Sequence, residues 1–379
     1  MPGRRPRVLQ LIKCLGYGGA EQLMVAFAAH RDRQAFDYEM AYVLAAEDAL
    51  VPMVEATGVP VHALGARGNA DLRWTAGLRR LLRRGEFNLV HLHLPYAAAV
   101  GRWVVRSLPP RRRPALVYTE HSIWGKAPLV LRALNRSAMG SDAGLIAVSA
   151  AAAAALPGSL RRRAVVVEHG IDQDATAALL ARRRAVRAEV RAELGVRSGE
   201  LLVMSVANLR PEKGYDVLLP AARRVLDAGS PVRFAAVGRG PLRAEVTAWH
   251  EALGLGDRFR LLGQRHDALR LLAGADLFVL ASHHEGLPVT VMEATSLGLP
   301  IVSTAVGEMP ALLGDERAGV VVPPGRPEAL AAAIVRVVGD EALRARLAAA
   351  SRACGEAFDV TRAVRRIEAM YRAVLARGR

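Results

Sequence analysis

Apolar residues along this chain fall into short, nearly continuous runs separated by stretches with helical spacing. The runs at 7–12, 38–44, 59–64, 89–94, 115–121, 144–149 and 164–170 predict strands, and a helix is expected near 20–30. Strands that alternate with amphipathic helices in this way make βαβ units and a parallel sheet. The alternation breaks at 175–194, which reads as one charged helix, and then restarts. Further strands are expected at 201–207, 232–238, 258–263, 276–281, 300–304 and 319–323, with helices at 327–338 and 343–358. The last segment, 361–376, carries Val364, Ile367, Ala369, Met370, Tyr371 and Val374 and reads as a docking helix. The alanine run 150–155 suits a helix and carries no chemistry of its own.

At 379 residues the chain exceeds the size at which one hydrophobic core keeps growing, and 52% apolar content is ample for two. The pattern therefore predicts an α/β protein of two Rossmann-like, doubly wound domains facing a central cleft. The first domain is expected over 1–173 and the second over 174–359, with a hinge near 172–178 that closes on ligand binding. No run of about 18 uncharged apolar residues is present, so no membrane span is expected. The basic start passes straight into a strand, without a long apolar signal region. Cys14 and Cys354 form no motif and read as free thiols of a cytoplasmic protein.

Charge sharpens this picture. The net charge is +16, and residues 1–197 hold 29 Lys and Arg against 16 Asp and Glu, leaving 23 against 20 for the remainder. A basic first half suits nucleic acid, an anionic membrane face or a phosphorylated acceptor, as well as a plain solvated surface. Residues 72–87 interleave Leu72, Trp74, Leu78, Leu81 and Leu82 with five arginines. Such a helix either lies on anionic lipid or turns its apolar side into the core. Nucleic acid is set aside, because 5% aromatic content with no interleaved pattern gives no stacking platform.

The chemistry concentrates in the second half. After the strand at 276–281, Glu285, Gly286, Leu287 and Pro288 form a turn, and Glu293 lies inside the apolar helix that follows. Free backbone N–H groups at the start of that helix attract a diphosphate, and the two carboxylates can each accept hydrogen bonds from sugar hydroxyls. This is the pattern of a nucleotide-sugar site. Arg210 and Lys213, after the strand at 201–207, can neutralise a departing nucleoside diphosphate. In the first half, Gly18 and Gly19 follow the first strand and open a helix, which lets backbone N–H groups approach a phosphate or sugar. A dinucleotide fingerprint is the competing reading there, but it needs glycine where Glu21 stands. His121 ends the strand at 115–121, where a neutral imidazole can bond a hydroxyl or guide a proton. His91 and His93 share one strand face and read as packed or hydrogen-bonded core residues. No cluster completes a metal site around them.

Glu285-Gly286-Leu287-Pro288, Glu293-Ala294 and Gly298 with Pro300 resemble the E-G-x-P…E-A…G-x-P signature of the family-four retaining glycosyltransferases. Weaker motifs follow in the expected order over nearly the whole chain. The resemblance implies the GT-B fold, with the final helix, 360–379, packing back onto an acceptor-side first domain. It also implies a donor-binding second domain. Lys213 matches the family's P-E-K-G lysine, whereas Arg210 stands two residues later than the family arginine, at whose position this chain has Asn208. Gly18 and Gly19 fall in the family's donor-closing loop. Gly238 and Gly263 belong to turns that shape the nucleotide pocket, and His121 matches a strand-end histidine near the donor sugar. Two departures stand out: Glu308 replaces a glycine and His169 replaces a frequent asparagine.

The resemblance therefore implies retaining, metal-independent transfer from a nucleotide-diphosphate sugar, with no separate cofactor and a UDP-sugar favoured over a GDP-sugar. Glu285, Lys213, Arg210 and His121 are the expected catalytic residues. Gly18, Gly19, Gly238, Gly263, Gly286, Leu287, Pro288 and Glu293 are the expected donor-binding set. A saccharide, a lipid-linked sugar and a small specialised metabolite all stay open as acceptors, as does peripheral contact with the inner membrane face. An epimerase or hydrolase of the same fold would act on donor alone. A non-catalytic basic binding protein would instead show steeply salt-dependent binding.

Overall fold

The computed structural model describes residues 4–121, 124, 129–314 and 316–377. Ser122 and Lys126 lie outside them. The chain divides into two compact units, one comprising Met1–Gly170 with Val360–Arg379 and the other Ile171–Asp359.

Unit 1 is built on β1 (Arg7–Ile12), β2 (Asp37–Leu44), β3 (Val61–Ala66), β4 (Leu89–His93), β5 (Ala115–Glu120), β6 (Gly144–Ala147) and β7 (Ala164–Val166). They form one parallel sheet in the order β3-β2-β1-β4-β5-β6-β7. Helices cover both faces, which is why β4, with the sequence LVHLH, is buried at every position. The order reverses between β1 and β4, and at such a reversal the loops beyond the strand ends part to leave a crevice. Helix Val360–Arg377 completes this unit. Its Tyr371 is fully buried, and Glu368 Oε1 accepts from Tyr38 Oη at 2.8 Å and from the Asp32 amide at 2.9 Å.

Unit 2 holds β8 (Leu201–Val206), β9 (Val232–Val237), β10 (Phe259–Leu261), β11 (Leu277–Leu280), β12 (Ile301–Thr304) and β13 (Gly319–Val322). They form a second parallel sheet in the order β10-β9-β8-β11-β12-β13, which reverses between β8 and β11.

Two expectations need correction. The strand foreseen at 164–170 ends at Val166, so Glu168, His169 and Gly170 follow it as irregular chain. The single helix at 175–194 is two, Gln173–Ala181 and Arg183–Glu193, because Arg182 leaves helical geometry at φ −108° and ψ 19°. Hydrophobic periodicity does not register a one-residue break of this kind. Of the two readings of the arginine-rich helix, Trp74–Gly85, the core-facing one holds: Trp74, Leu78 and Leu82 are buried in the core, so its apolar face is not available to lipid. Leu72, which precedes it, is exposed.

The division also redraws the charge map. Unit 1 carries 29 basic against 13 acidic residues and unit 2 carries 23 of each, so the whole net charge of +16 belongs to unit 1.

Candidate active site

The loops after β8 and β11 flank the reversal in unit 2, and backbone contacts lock them together. Gly214 has φ +68°, and a Cβ there would fall 2.0 Å from the Ala281 carbonyl oxygen, so only glycine permits the approach. The His283 amide donates to the Glu212 carbonyl at 2.9 Å. A third loop closes in after β12. The Glu308 amide donates to the Gly286 carbonyl at 3.0 Å, and a Cβ on Gly307 would stand 2.1 Å from that same oxygen.

This backbone frame brings together the residues the sequence singled out. Lys213 Nζ lies 2.5 Å from Glu285 Oε1, and Ser282 Oγ donates to the same oxygen at 2.8 Å. Thr304 Oγ1 in turn donates to the Ser282 carbonyl at 2.6 Å. Thr304 and Ser282 are fully buried, whereas Lys213 and Glu285 keep partial exposure, so the pair is rigid at its base and open at its tip. Arg210, just before the turn Pro211–Lys213, is exposed and has no ion pair among the described residues. His283 turns to Asp216, 3.0 Å away, and not to Glu285.

Beyond Glu285, Gly286 and Leu287 lead into helix Val289–Ser296, whose amino end at Pro288 has no side-chain cap. Its first amides are therefore available to an anion. Glu293 projects from this helix, half-buried. No hydrogen bond or ion pair reaches its carboxylate among the described residues, and burial pushes its pKa up to about 7. A recessed carboxylate without donors is held in a costly state that a ligand's hydroxyl groups would relieve. On the flank, the Gly238 amide donates to the Gly263 carbonyl at 2.9 Å, and a Cβ on Gly238 would stand 1.9 Å from the Ala207 carbonyl oxygen.

Gly18, Gly19 and His121 lie in unit 1. The room that a side chain at Gly18 would occupy is filled by the buried Glu21 carboxylate, 2.1 Å from the would-be Cβ. Glu21 also accepts from the Cys14 thiol at 3.1 Å, and burial raises the pKa of that thiol. Gly18 thus serves the internal anchoring of the loop, while Gly19 is exposed at the start of helix Gly19–His30. His121 follows β5, with its Nε2 at 3.0 Å from His93 Nδ1. His91 and His93 are both buried and hydrogen-bonded. Burial first, then neighbouring imidazoles, holds His91, His93 and His121 well below the usual histidine pKa. His169 falls to about 4 by burial alone. All four rings are neutral at pH 7.

Sequence reasoning did not find Ser282, Thr304, Glu21, Gln10 or Tyr371. Ser282 lies three residues before Glu285 and was legible as its neighbour. Glu21, three residues after Gly18, was read only as the residue that breaks a glycine fingerprint, while Thr304, Gln10 and Tyr371 act across strands or from the far end of the chain, where no spacing rule reaches.

Residues 17–175 match Glycosyltransferase Family 4, and residues 186–353 match Glycosyl transferases group 1. The chain belongs to glycosyltransferase family four. Among the relatives of this family-four chain is an alpha-D-kanosaminyltransferase of Streptomyces kanamyceticus, 31% identical over 164 residues. That match spans 43% of this chain and 42% of the relative. A phosphatidyl-myo-inositol mannosyltransferase of Mycobacterium leprae is 27% identical over 383 residues, covering 99% of this chain and 94% of its own. The fold is shared with Anabaena HepE, solved in complex with UDP-glucose, at a TM-score of 0.82 and 23% identity over 97% of this chain and 99% of that one. The two parallel-sheet units of the family-four chain are those of the GT-B fold. Among the described residues no group of three or more His, Cys, Asp or Glu is placed to hold a metal ion, and no helix is long and apolar enough to cross a membrane.

Proposed function

We propose that this family-four chain is a retaining, metal-independent glycosyltransferase whose unit 2 binds a nucleotide-diphosphate sugar and whose unit 1 serves the acceptor. The observation that carries this reading is the grouping at the reversal of the second sheet. Lys213 and Glu285 are paired there, an uncapped helix start follows, and that same helix presents a carboxylate with no donor. Glu293 accepts from the ribose hydroxyls and Glu285 from the sugar. The amides after Pro288 meet the diphosphate, and Lys213, with Arg210, offsets the charge that grows on it. The bond from the anomeric carbon to phosphate oxygen breaks while a bond to the acceptor oxygen forms on the same face. The acceptor proton passes to the leaving phosphate oxygen, so no protein nucleophile is required.

A UDP-sugar is the favoured donor, supported by the UDP-glucose in HepE. The acceptor is a saccharide or a lipid-linked polyol, in keeping with a relative that mannosylates phosphatidyl-myo-inositol. Peripheral contact with an anionic inner membrane face is supported by the charge on unit 1 and by Leu129 and Val130, 76% and 71% exposed at the start of helix Leu129–Met139. Vesicle co-sedimentation tests this: binding to phosphatidylglycerol but not phosphatidylcholine, weakened by salt, is expected.

Thermal unfolding against UDP, GDP, ADP and their sugar conjugates tests the donor assignment. A ligand at one hundred times its dissociation constant adds about 2.7 kcal/mol to the state it binds. A shift with one nucleotide, absent in Glu293→Ala and Lys213→Ala, is the expected result. Turnover that persists in excess chelator and gives the donor's own anomeric configuration completes the test. Strict metal dependence or an inverted product would overturn it.

A further inference from the structure

Six polar side chains in unit 1 form one continuous file that joins three strands to the last helix. His121 Nε2 is 3.0 Å from His93 Nδ1, and His93 Nε2 is 2.7 Å from Gln10 Oε1. Gln10 Nε2 is 2.9 Å from Tyr371 Oη, which is 2.5 Å from His91 Nδ1, and His91 Nε2 is 2.7 Å from Thr119 Oγ1.

The amide of Gln10 decides where the protons lie. Its oxygen only accepts and its nitrogen only donates. His93 must therefore carry its proton on Nε2, and because the ring is neutral its Nδ1 is bare and accepts from His121 Nε2–H. On the other side, Tyr371 accepts from Gln10 and gives its own proton to His91 Nδ1, and His91 Nε2–H then donates to Thr119. Every bond runs in one direction, and the file begins at His121.

We propose that Gln10 and Tyr371 are positioning residues that act through His93 to lock His121 in the tautomer presenting a bare Nδ1 as a hydrogen-bond acceptor. Among the described residues that Nδ1 has no partner. A second observation marks the same place as incomplete. His169 stacks on His121 with ring centroids 5.2 Å apart and planes 15° from parallel, and its Nε2 is buried without a hydrogen-bond partner. Two uncharged imidazoles with unfilled nitrogens suit a ligand rich in hydroxyl groups and have no particular attraction for an anion. The purpose of the lock rests on the reading of His121 as a sugar contact, but the lock itself is a property of the free protein.

The test is the ¹⁵N signature of the histidine ring nitrogens in the full-length chain without ligand, in wild type, Tyr371→Phe and Gln10→Glu. In wild type, His121 should carry its proton on Nε2. Tyr371→Phe frees the Gln10 amide to turn over, so His121 should become a mixture of tautomers. Transfer efficiency should then fall about tenfold, the scale of one hydrogen bond. Gln10→Glu still accepts from His93, so His121 should stay as it was. Tyr371 must then donate to the new carboxylate, and His91 should move its proton to Nδ1. This second variant keeps the packing and decides the question if Tyr371→Phe does not fold. A His121 tautomer unchanged in Tyr371→Phe, or a His91 unchanged in Gln10→Glu, would overturn the proposal. A mixed tautomer with unimpaired transfer would leave the lock standing and overturn the sugar-contact reading of His121 instead.

Discussion

The two units share a plan, a parallel sheet with one reversal of strand order, yet they distribute charge in opposite ways. Unit 1 carries the whole net charge of +16, while its strand ends hold neutral imidazoles in a hydrogen-bonded file. Unit 2 has no net charge but sets an ion pair and a partnerless carboxylate beside its reversal. Topology fixes where a ligand can be met, and the charge state of the groups there selects the kind of ligand. Fixed charge in unit 2 suits a diphosphate that gains charge as its sugar leaves. Uncharged acceptors in unit 1 suit hydroxyl groups.

The comparison breaks most readily at Lys213. Lys213→Ala should lower kcat by about 10²–10³-fold, the usual loss when a fixed group opposing developing charge is removed. Steady-state kinetics at saturating donor measure this, and a loss confined to KM would mean that Lys213 serves binding alone. Next in size is Gly214→Ala, which meets both a positive φ and the Ala281 carbonyl. A cost of about 3 kcal/mol is expected, felt in unit 2 and not in unit 1. Hydrogen exchange resolved by segment reports it, and equal loss of protection in both units would show that they do not unfold separately.

Glu293→Gln sharpens the contrast through pH. The folded chain holds the Glu293 proton up to about pH 7, whereas the unfolded chain releases it near the ordinary value of 4.5. Stability from this group is therefore complete below pH 4.5 and is lost as pH rises through about 7. Glu293→Gln removes that loss, so the ligand-free variant should exceed wild type at pH 8 by up to about 3 kcal/mol and match it near pH 4. Denaturant unfolding at the two pH values checks the sign. The smallest effect is expected at Ser282→Ala, which leaves the Lys213–Glu285 pair in place but removes its buried anchor, at a cost of about 1 kcal/mol. Donor affinity should weaken about fivefold to tenfold on that scale.

Much of this was legible in the sequence, for identifiable reasons. The strands follow from continuous apolar runs, and Lys213, Glu285 and Glu293 follow from their places in loops and helix after such runs. The charge contrast was only half visible. Dividing the chain at residue 197 left +3 on the second half, because 182–197 is rich in arginine and belongs to unit 2, while the basic last helix belongs to unit 1. Gln10 and Tyr371 were read only as strand and docking-helix residues, since their hydrogen bond spans 361 positions of sequence. Gly18 was read as space for a ligand, and its space is taken by Glu21 three residues on.

The most direct test of the central claim is calorimetric titration of UDP and its sugar conjugates into the wild type and Glu293→Gln between pH 6 and 8. A ribose bound to the Glu293 carboxylate lowers its pKa, so wild-type affinity should rise with pH up to about 7 and then level off. In Glu293→Gln, binding should be weaker and flat across that range. Tight, pH-independent binding that is identical in the two proteins would place the nucleotide elsewhere and contradict the account.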